Sequence, residues 1–221
     1  MVDGTLYLST PYDHVFALDP QTGAKRWEYD PVLDLSHGYS EITSRGVAAW
    51  RDARTPRGGP CALRIFLGTL DARSIAIDGA NGTPCAGFGD GGAVDLTHDV
   101  DLRDAGDYQV TSAPSVVGDA VIVGSSISDN RAVTLERGIV RAFDARTGRQ
   151  RWAWDPIPWG RHTDPPTGAG TAWSTLSVDV DHDLVSCQLA ARAPTSMAAS
   201  AKGTTSGRIR SWRCARPTRW A

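Results

Sequence analysis

Short runs that are either continuously apolar or alternate apolar with polar residues recur along the first 185 residues, each closed off by Gly, Pro, Asp or Asn. Thr5-Leu6-Tyr7-Leu8-Ser9, Val15-Phe16-Ala17-Leu18, Arg64-Ile65-Phe66-Leu67, Ser74-Ile75-Ala76-Ile77 and Ile139-Val140-Arg141-Ala142-Phe143 have strand length and strand pattern. Ser115 to Val123 reads as a hairpin punctuated by Gly118-Asp119. Helical periodicity is not evident before about residue 178. The pattern predicts an all-β fold.

Three of these runs lead into the same turn. Ala17-Leu18-Asp19-Pro20-Gln21-Thr22-Gly23-Ala24-Lys25-Arg26-Trp27 and Ala142-Phe143-Asp144-Ala145-Arg146-Thr147-Gly148-Arg149-Gln150-Arg151-Trp152 share A-x-D-x-x-T-G-x-x-R-W. A weaker copy, Ala76-Ile77-Asp78-Gly79-Ala80-Asn81-Gly82, carries Cys85 near where Trp would fall. The copies stand 59 and 66 residues apart, a period suited to four-stranded blades with insertions. Asp can bond nearby backbone N–H groups, and Gly supplies a positive φ without steric cost. Trp opening the return strand offers a flat apolar face. One blade cannot bury such a face alone, so blades must stack radially as in a β-propeller. The Pro-, Gly- and Arg-rich loops at 55–60 and 156–170 are expected on a propeller face, where binding residues usually sit.

Composition narrows the function classes. Lys and Arg number 23 against 25 Asp and Glu, a net charge of -2 that argues against nucleic-acid binding through bulk positive charge. The 41% apolar content with eight Trp excludes disorder, collagen and coiled coil. No apolar run approaches the roughly 20 residues of a membrane-spanning helix. Met1-Val2-Asp3-Gly4 lacks the regions of a leader and runs into a strand, so the chain is expected to begin inside a fold. Four Cys are too few for a disulfide scaffold, although Cys61 and Cys85 flank a strand-rich segment and could pair in an oxidising compartment. Gly87-Phe88-Gly89-Asp90-Gly91-Gly92 formally fits G-x-G-x-x-G but is not followed by a helix start, and reads as a loop. His14, His37, His98, His162 and His182 have no metal spacing.

From Ser186 the composition shifts to Ala, Arg, Ser, Thr and Trp, and the alternation is expected to cease. Codons permitted for Ser186 to Ala215, read in a shifted frame, can spell LPTGSASPDFYGGERKGDNEWADSIVAL, a string with turn residues and a closing strand. Residues 186–221 are therefore expected to be an out-of-frame tail that forms no domain, with 1–185 the partial propeller. Cys187, Trp212, Cys214 and Trp220 receive no functional role on this reading.

Together with the repeats, Ser44-Arg45-Gly46-Val47, Gly124-Ser125-Ser126-Ile127-Ser128-Asp129-Asn130 and the shifted-frame PTGSASPDFYGGERKGDN carry a resemblance. The chain resembles the pyrroloquinoline quinone (PQQ)-dependent dehydrogenases, among them the branch of quinoprotein glucose, polyol and quinate dehydrogenases. The resemblance implies an eight-bladed propeller, of which this chain would supply roughly three blades, with PQQ and Ca²⁺ on the axis. It implies oxidation of an alcohol, polyol or aldose by hydride transfer to PQQ, with electrons leaving to ubiquinone or cytochrome c in the periplasm.

On the same resemblance, Arg45 matches the Arg that pairs with a PQQ carboxylate, a task suited to a planar bidentate donor. Thr111, Ser125 and Ser126 match positions around the quinone, and Trp173 matches the Trp on which it stacks. Asp129 and Asn130 match the metal ligands, being hard oxygen donors of the kind Ca²⁺ prefers. Three departures stand out. The vicinal Cys pair of methanol dehydrogenase is absent, Glu41 falls near a position where glucose dehydrogenases carry His, and the HHDLWDYD-like motif with the catalytic Asp does not occur. The chain by itself is thus expected to be catalytically incompetent. Two other classes stay open: a cofactor-free propeller scaffold of the outer-membrane assembly type, and the inactive product of a decaying gene.

Overall fold

The computed structural model describes residues 1–128, 136–156, 170–179, 181 and 184–191, together with the strand at 210–214. Asp129 and Asn130, the expected metal ligands, lie outside these described residues, as does most of the 156–170 loop. Every element among the described residues is a β-strand. Strands β1 (Leu6–Ser9), β2 (Val15–Leu18) and β3 (Lys25–Tyr29) form a three-stranded sheet. Strands β4 (Ala48–Arg51), β5 (Leu63–Gly68), β6 (Arg73–Asp78) and β7 (Ala93–Asp95) form a four-stranded sheet in chain order. Next come β8 (Tyr108–Gln109), β9 (Ser115–Val117), β10 (Ala120–Val123), β11 (Ser126–Ile127), β12 (Val140–Asp144) and β13 (Gln150–Trp154). Of these, β9-β10-β12-β13 make the third sheet, while β8 and β11 pair apart from it. The fourth sheet is built from β14 (Gly170–Thr171), β15 (Leu176–Asp179), β16 (Leu184–Ala191) and β17 (Arg210–Cys214).

All these pairings are antiparallel; the first three sheets are up-and-down meanders, in the fourth β16 pairs with β14, β15 and β17, and two complete blades are thus flanked by a three-stranded sheet and a further sheet. This is the expected partial β-propeller. Alternation explains the stacking. Side chains point to opposite faces of a strand in turn. On β5, Ile65 and Leu67 join Val15, Ile75 and Ile77 against the first sheet, while Phe66 joins Phe88, Val121, Val123 and Phe143 against the third. On β10, Ile122 faces the other way and packs with Val140, Ala142, Leu176 and Val185. Central strands are therefore buried on both faces, which accounts for their near-continuous apolar runs. Each such side chain contributes roughly 1.5–3 kcal/mol by leaving water.

The strand pattern differs from expectation twice in the tail, where β17 also forms and pairs with β16. The alternation continues past Ser186, because β16 runs to Ala191 with Val185, Cys187 and Leu189 buried and Ser186 and Gln188 exposed between them.

The repeated turn is built as its residues dictate. Asp19 Oδ1 accepts the N–H groups of Gln21 and Thr22 at 3.0 Å, and Asp144 Oδ1 those of Arg146 and Thr147 at 3.0 Å. Gly23 and Gly148 turn the chain at φ +72° and +71°. The remaining carboxylate oxygen takes the Arg of R-W: Arg26 to Asp19 at 2.9 Å, Arg151 to Asp144 at 2.5 Å. Burial opposes ionisation of Asp144, but the Arg151 guanidinium and the Thr147 donors outweigh it and hold the carboxyl down at about 2.

The weaker copy replaces this Arg and Trp with a covalent link. Cys85, whose N–H bonds the Ala76 carbonyl at 2.8 Å, forms a disulfide with Cys61, and the Cys61 N–H takes the second oxygen of Asp78 at 2.8 Å. Trp27 rests on this turn: its Nε1 donates to the Gly79 carbonyl at 3.1 Å, and a Cβ on Gly82 would stand 2.8 Å from its ring.

Candidate functional site

The expected site residues occupy corresponding places in successive sheets. Arg45 lies three residues before β4, Thr111 four before β9, and Trp173 three before β15. Ser125 follows β10, the second strand of its sheet. In a meander the start of the first strand and the end of the second share one end of the sheet, so these residues gather there. The A-x-D-x-x-T-G turns lie at the other end.

Arg45, Thr111 and Trp173 are in direct contact. The Arg45 guanidinium carbon sits 4.8 Å from the centroid of the Trp173 ring. One terminal nitrogen donates to the carbonyls of Thr111 at 3.2 Å and Trp173 at 3.3 Å, and the other to Glu41 Oε1 at 2.8 Å. Thr111 Oγ1 donates to the Trp173 carbonyl at 3.0 Å, and the Arg45 N–H to the Thr111 carbonyl at 3.2 Å. Three blades thus meet at one guanidinium.

A second layer supports this contact. Gln109, fully buried on β8, donates from Nε2 to the Glu41 carbonyl at 3.0 Å and accepts from Ser40 Oγ at 2.6 Å and the Glu41 N–H at 3.2 Å. It fixes the segment that presents Glu41. Ser126 pairs directly with Gln109 across β11 and β8. Ser125 is fully buried, and its hydroxyl, beside the Tyr108 phenol, makes no hydrogen bond of normal geometry; the Ser112 hydroxyl is likewise buried without a partner. Burial pushes the Tyr108 phenol up, and the phenol donates to the Ile139 carbonyl at 3.2 Å. Gly124 lets the fourth sheet approach: a Cβ there would fall 2.1 Å from the Ala172 carbonyl oxygen.

Next to the undescribed residues 129–135, Ser128 and Glu136 each keep a buried side-chain oxygen without a partner, and burial raises the Glu136 carboxyl. Gln109, Glu136 and the buried Asp13 were not singled out by sequence reasoning. A polar residue flanked by strand-forming neighbours is the signal they carry, and it does not separate a structural Gln from a site residue.

The cluster brings a guanidinium, a carboxylate, an indole ring and buried hydroxyls to one end of three sheets. A guanidinium is a planar donor for a carboxylate, and an indole is a flat surface for a ring or a cation.

Comparison with known proteins bears on the same point. The family model described as "PQQ: Glucose/ethanol/alcohol dehydrogenase, beta-propeller domain" matches residues 1–205. The chain is 33% identical over 196 residues to quinoprotein glucose dehydrogenase of Escherichia coli (strain K12), covering 83% of this chain and 24% of that protein. It is 33% identical over 211 residues to quinate/shikimate dehydrogenase (quinone) of Acinetobacter baylyi, covering 83% and 25%. Among solved structures, quinohemoprotein alcohol dehydrogenase from Comamonas testosteroni superposes with a TM-score of 0.65 at 26% identity, covering 86% of this chain and 28% of that one. The chain spans about a quarter of the length of the curated relatives it matches.

Proposed function

Because the chain belongs to the PQQ-dependent glucose/ethanol/alcohol dehydrogenase family of β-propellers, we propose that it is part of an oxidoreductase that oxidises an alcohol, polyol or aldose at a CH–OH group. Its share of that enzyme is the quinone-holding side of the site. The meeting of Arg45, Thr111 and Trp173 from three sheets is the observation that supports this reading most directly.

When bound, PQQ supplies an electrophilic carbonyl carbon that accepts hydride from the substrate. Arg45 would pair with a quinone carboxylate, exchanging Glu41 for the cofactor's anion. Trp173 would offer its ring face, and Thr111, Ser125 and Ser126 would orient the quinone's polar edge. Asp129 and Asn130 would hold Ca²⁺ as hard oxygen donors. The proton-abstracting Asp belongs to a motif that these 221 residues do not contain, so this chain alone binds and orients without turning over. The Cys61–Cys85 disulfide is consistent with an oxidising compartment such as the periplasm, with ubiquinone or cytochrome c as electron acceptor.

The test is titration of the chain with PQQ in the presence of Ca²⁺, followed by quenching of tryptophan fluorescence. Saturable quenching that Arg45→Ala and Trp173→Ala each weaken at least about tenfold is expected from the loss of a charge-assisted pair or a stacking face. Absence of saturable binding by the folded chain would sink the cofactor reading.

A further inference from the structure

The turn between β1 and β2 carries an acid with no ion pair among the described residues. Asp13 is fully buried and stands at φ +64°. Its Oδ2 accepts the Leu70 N–H at 2.7 Å, from the turn between β5 and β6, whereas Oδ1 has no hydrogen-bond partner. A buried, half-satisfied carboxylate is costly, and protonation is the ordinary remedy.

The charged groups around it are committed elsewhere. In its own turn, His14 directs Nδ1 to Glu28 at 3.2 Å and Nε2 toward Asp30 at 3.7 Å. From the β5–β6 turn and the start of β6 come Asp71 and Arg73, paired with each other at 2.6 Å; Arg73 also donates to the Pro31 carbonyl at 2.7 Å. From the segment leading to β4 come the Tyr39 phenol, whose ionisation the Asp13 charge disfavours, and the Ser44 hydroxyl, which is 2.9 Å from Ser9 Oγ. Burial pushes the Asp13 carboxyl up to about 7 over the opposing Leu70 N–H; the Asp71 charge adds a smaller push, and the Ser44 hydroxyl and Arg73 oppose it least.

We propose that Asp13 is a positioning residue for Arg45: as a neutral acid it leaves Ser44 paired with Ser9, and on ionising it tightens its hold on the Leu70 N–H and draws the Ser44 hydroxyl to its spare oxygen. A protonated carboxyl can spend its spare oxygen on a hydrogen bond within the Ser44–Ser9 hydroxyl pair. Ionised, it is a second negative charge beside Asp71 and a stronger acceptor, and it draws the Ser44 hydroxyl off Ser9. Ser44 is joined to Arg45, whose N–H holds the Thr111 carbonyl at 3.2 Å, so a shift of Ser44 is felt at the guanidinium. The inference rests on Arg45 serving the anion end of the proposed cofactor pocket.

The experiment uses the 221-residue chain. Asp13 is followed by carboxyl carbon NMR and Arg45 by its Nε–Hε resonance, from about pH 5 to about pH 9, a range above the ordinary carboxyl value. The two signals are expected to move together with one midpoint near 7. Asp13→Asn, a neutral isostere, should abolish the Arg45 transition, and Ser44→Ala should keep the Asp13 titration while uncoupling Arg45. An Asp13 carboxyl already ionised at the low end, or an Arg45 signal blind to the Asp13 transition, overturns the proposal. PQQ affinity should fall about tenfold across the transition in the wild type, the worth of one charge-assisted hydrogen bond, and stay level in Asp13→Asn. A level wild-type affinity also overturns it. Failure to bind PQQ at every pH, with Arg45 still following Asp13, refutes the cofactor reading and upholds the coupling.

Discussion

Arg146 reaches from the repeated turn of the third sheet to the second, and burial predicts how its two ion pairs divide the work. Its Nε donates to Asp52 at 2.9 Å, a terminal nitrogen donates to Asp119 at 2.8 Å, and its guanidinium carbon lies 4.8 Å from the Trp50 ring centroid. The Asp52 side chain is 7% exposed and the Asp119 side chain 43%. Stranding a buried carboxylate costs about 3–5 kcal/mol. Asp52 keeps the Arg54 N–H at 2.9 Å and the Thr55 hydroxyl at 3.3 Å, which lowers that cost to about 2 kcal/mol. The exposed Asp119 pair is worth about 0.5 kcal/mol. Arg146→Met should therefore destabilise the chain by about 2–3 kcal/mol, Asp52→Asn by about 2 and Asp119→Asn by about 0.5. Urea unfolding followed by tryptophan fluorescence measures all three, and a double-mutant cycle on Asp52 and Arg146 isolates the pair. Although burial opposes ionisation of Asp52, the Arg54 N–H and Arg146 hold it below the ordinary carboxyl value. Its contribution is thus present above about pH 4 and lost as the pH falls further, so wild type and Arg146→Met should converge in acid. If Asp119→Asn costs as much as Asp52→Asn, burial does not govern these pairs and the reasoning fails.

Three other perturbations follow from the geometry. Cys61→Ser with Cys85→Ser should cost about 3 kcal/mol, from a cross-link spanning 24 residues, and a reductant should reproduce the loss in the wild type. Gly82→Ala places a methyl 2.8 Å from the Trp27 ring at φ +80°, so the chain should lose about 2 kcal/mol or more and the Trp27 emission should shift to the red. Glu41→Gln removes the carboxylate that occupies Arg45, and PQQ affinity should rise about three- to tenfold; an unchanged affinity would mean that Glu41 does not compete for the guanidinium.

The blade order was legible because it depends on local chemistry. An Asp that bonds the next N–H groups and a Gly that accepts a positive φ announce themselves within a few residues, and Ile65-Phe66-Leu67 declares a strand buried on both sides. Arg45, Thr111 and Trp173 were reached through a resemblance, and the structure brings them into contact. Asp129 and Asn130 lie outside the described residues. Gln109 and Asp13 were missed because their roles are made by distant chain: Gln109 meets Glu41 from 68 residues away, and Asp13 meets Leu70 from 57. The pairing of Cys61 with Cys85 stayed open because spacing alone cannot say that the loop after β4 returns beneath the turn after β6. The run of β16 beyond Ser186 was overlooked because the tail was read by its Ala, Arg, Ser, Thr and Trp composition, although Val185, Cys187 and Leu189 alternate there with Ser186 and Gln188.

The substitution of Cys85 for a docking Trp gives the second blade a chemical dependence its neighbours lack. The first and third blades close their repeated turns with an Arg–Asp pair that forms as soon as the strands meet, in any compartment. The second closes through two thiols that must each surrender a proton and an electron. Since Trp27 rests on that very turn, and the core shared by the first two sheets lies beside it, completion of this blade reports the redox history of the chain. A chain held among reductants would retain every apolar contact between these sheets and still lack the tether, and a protease able to enter the loop at 52–62 could tell the two forms apart.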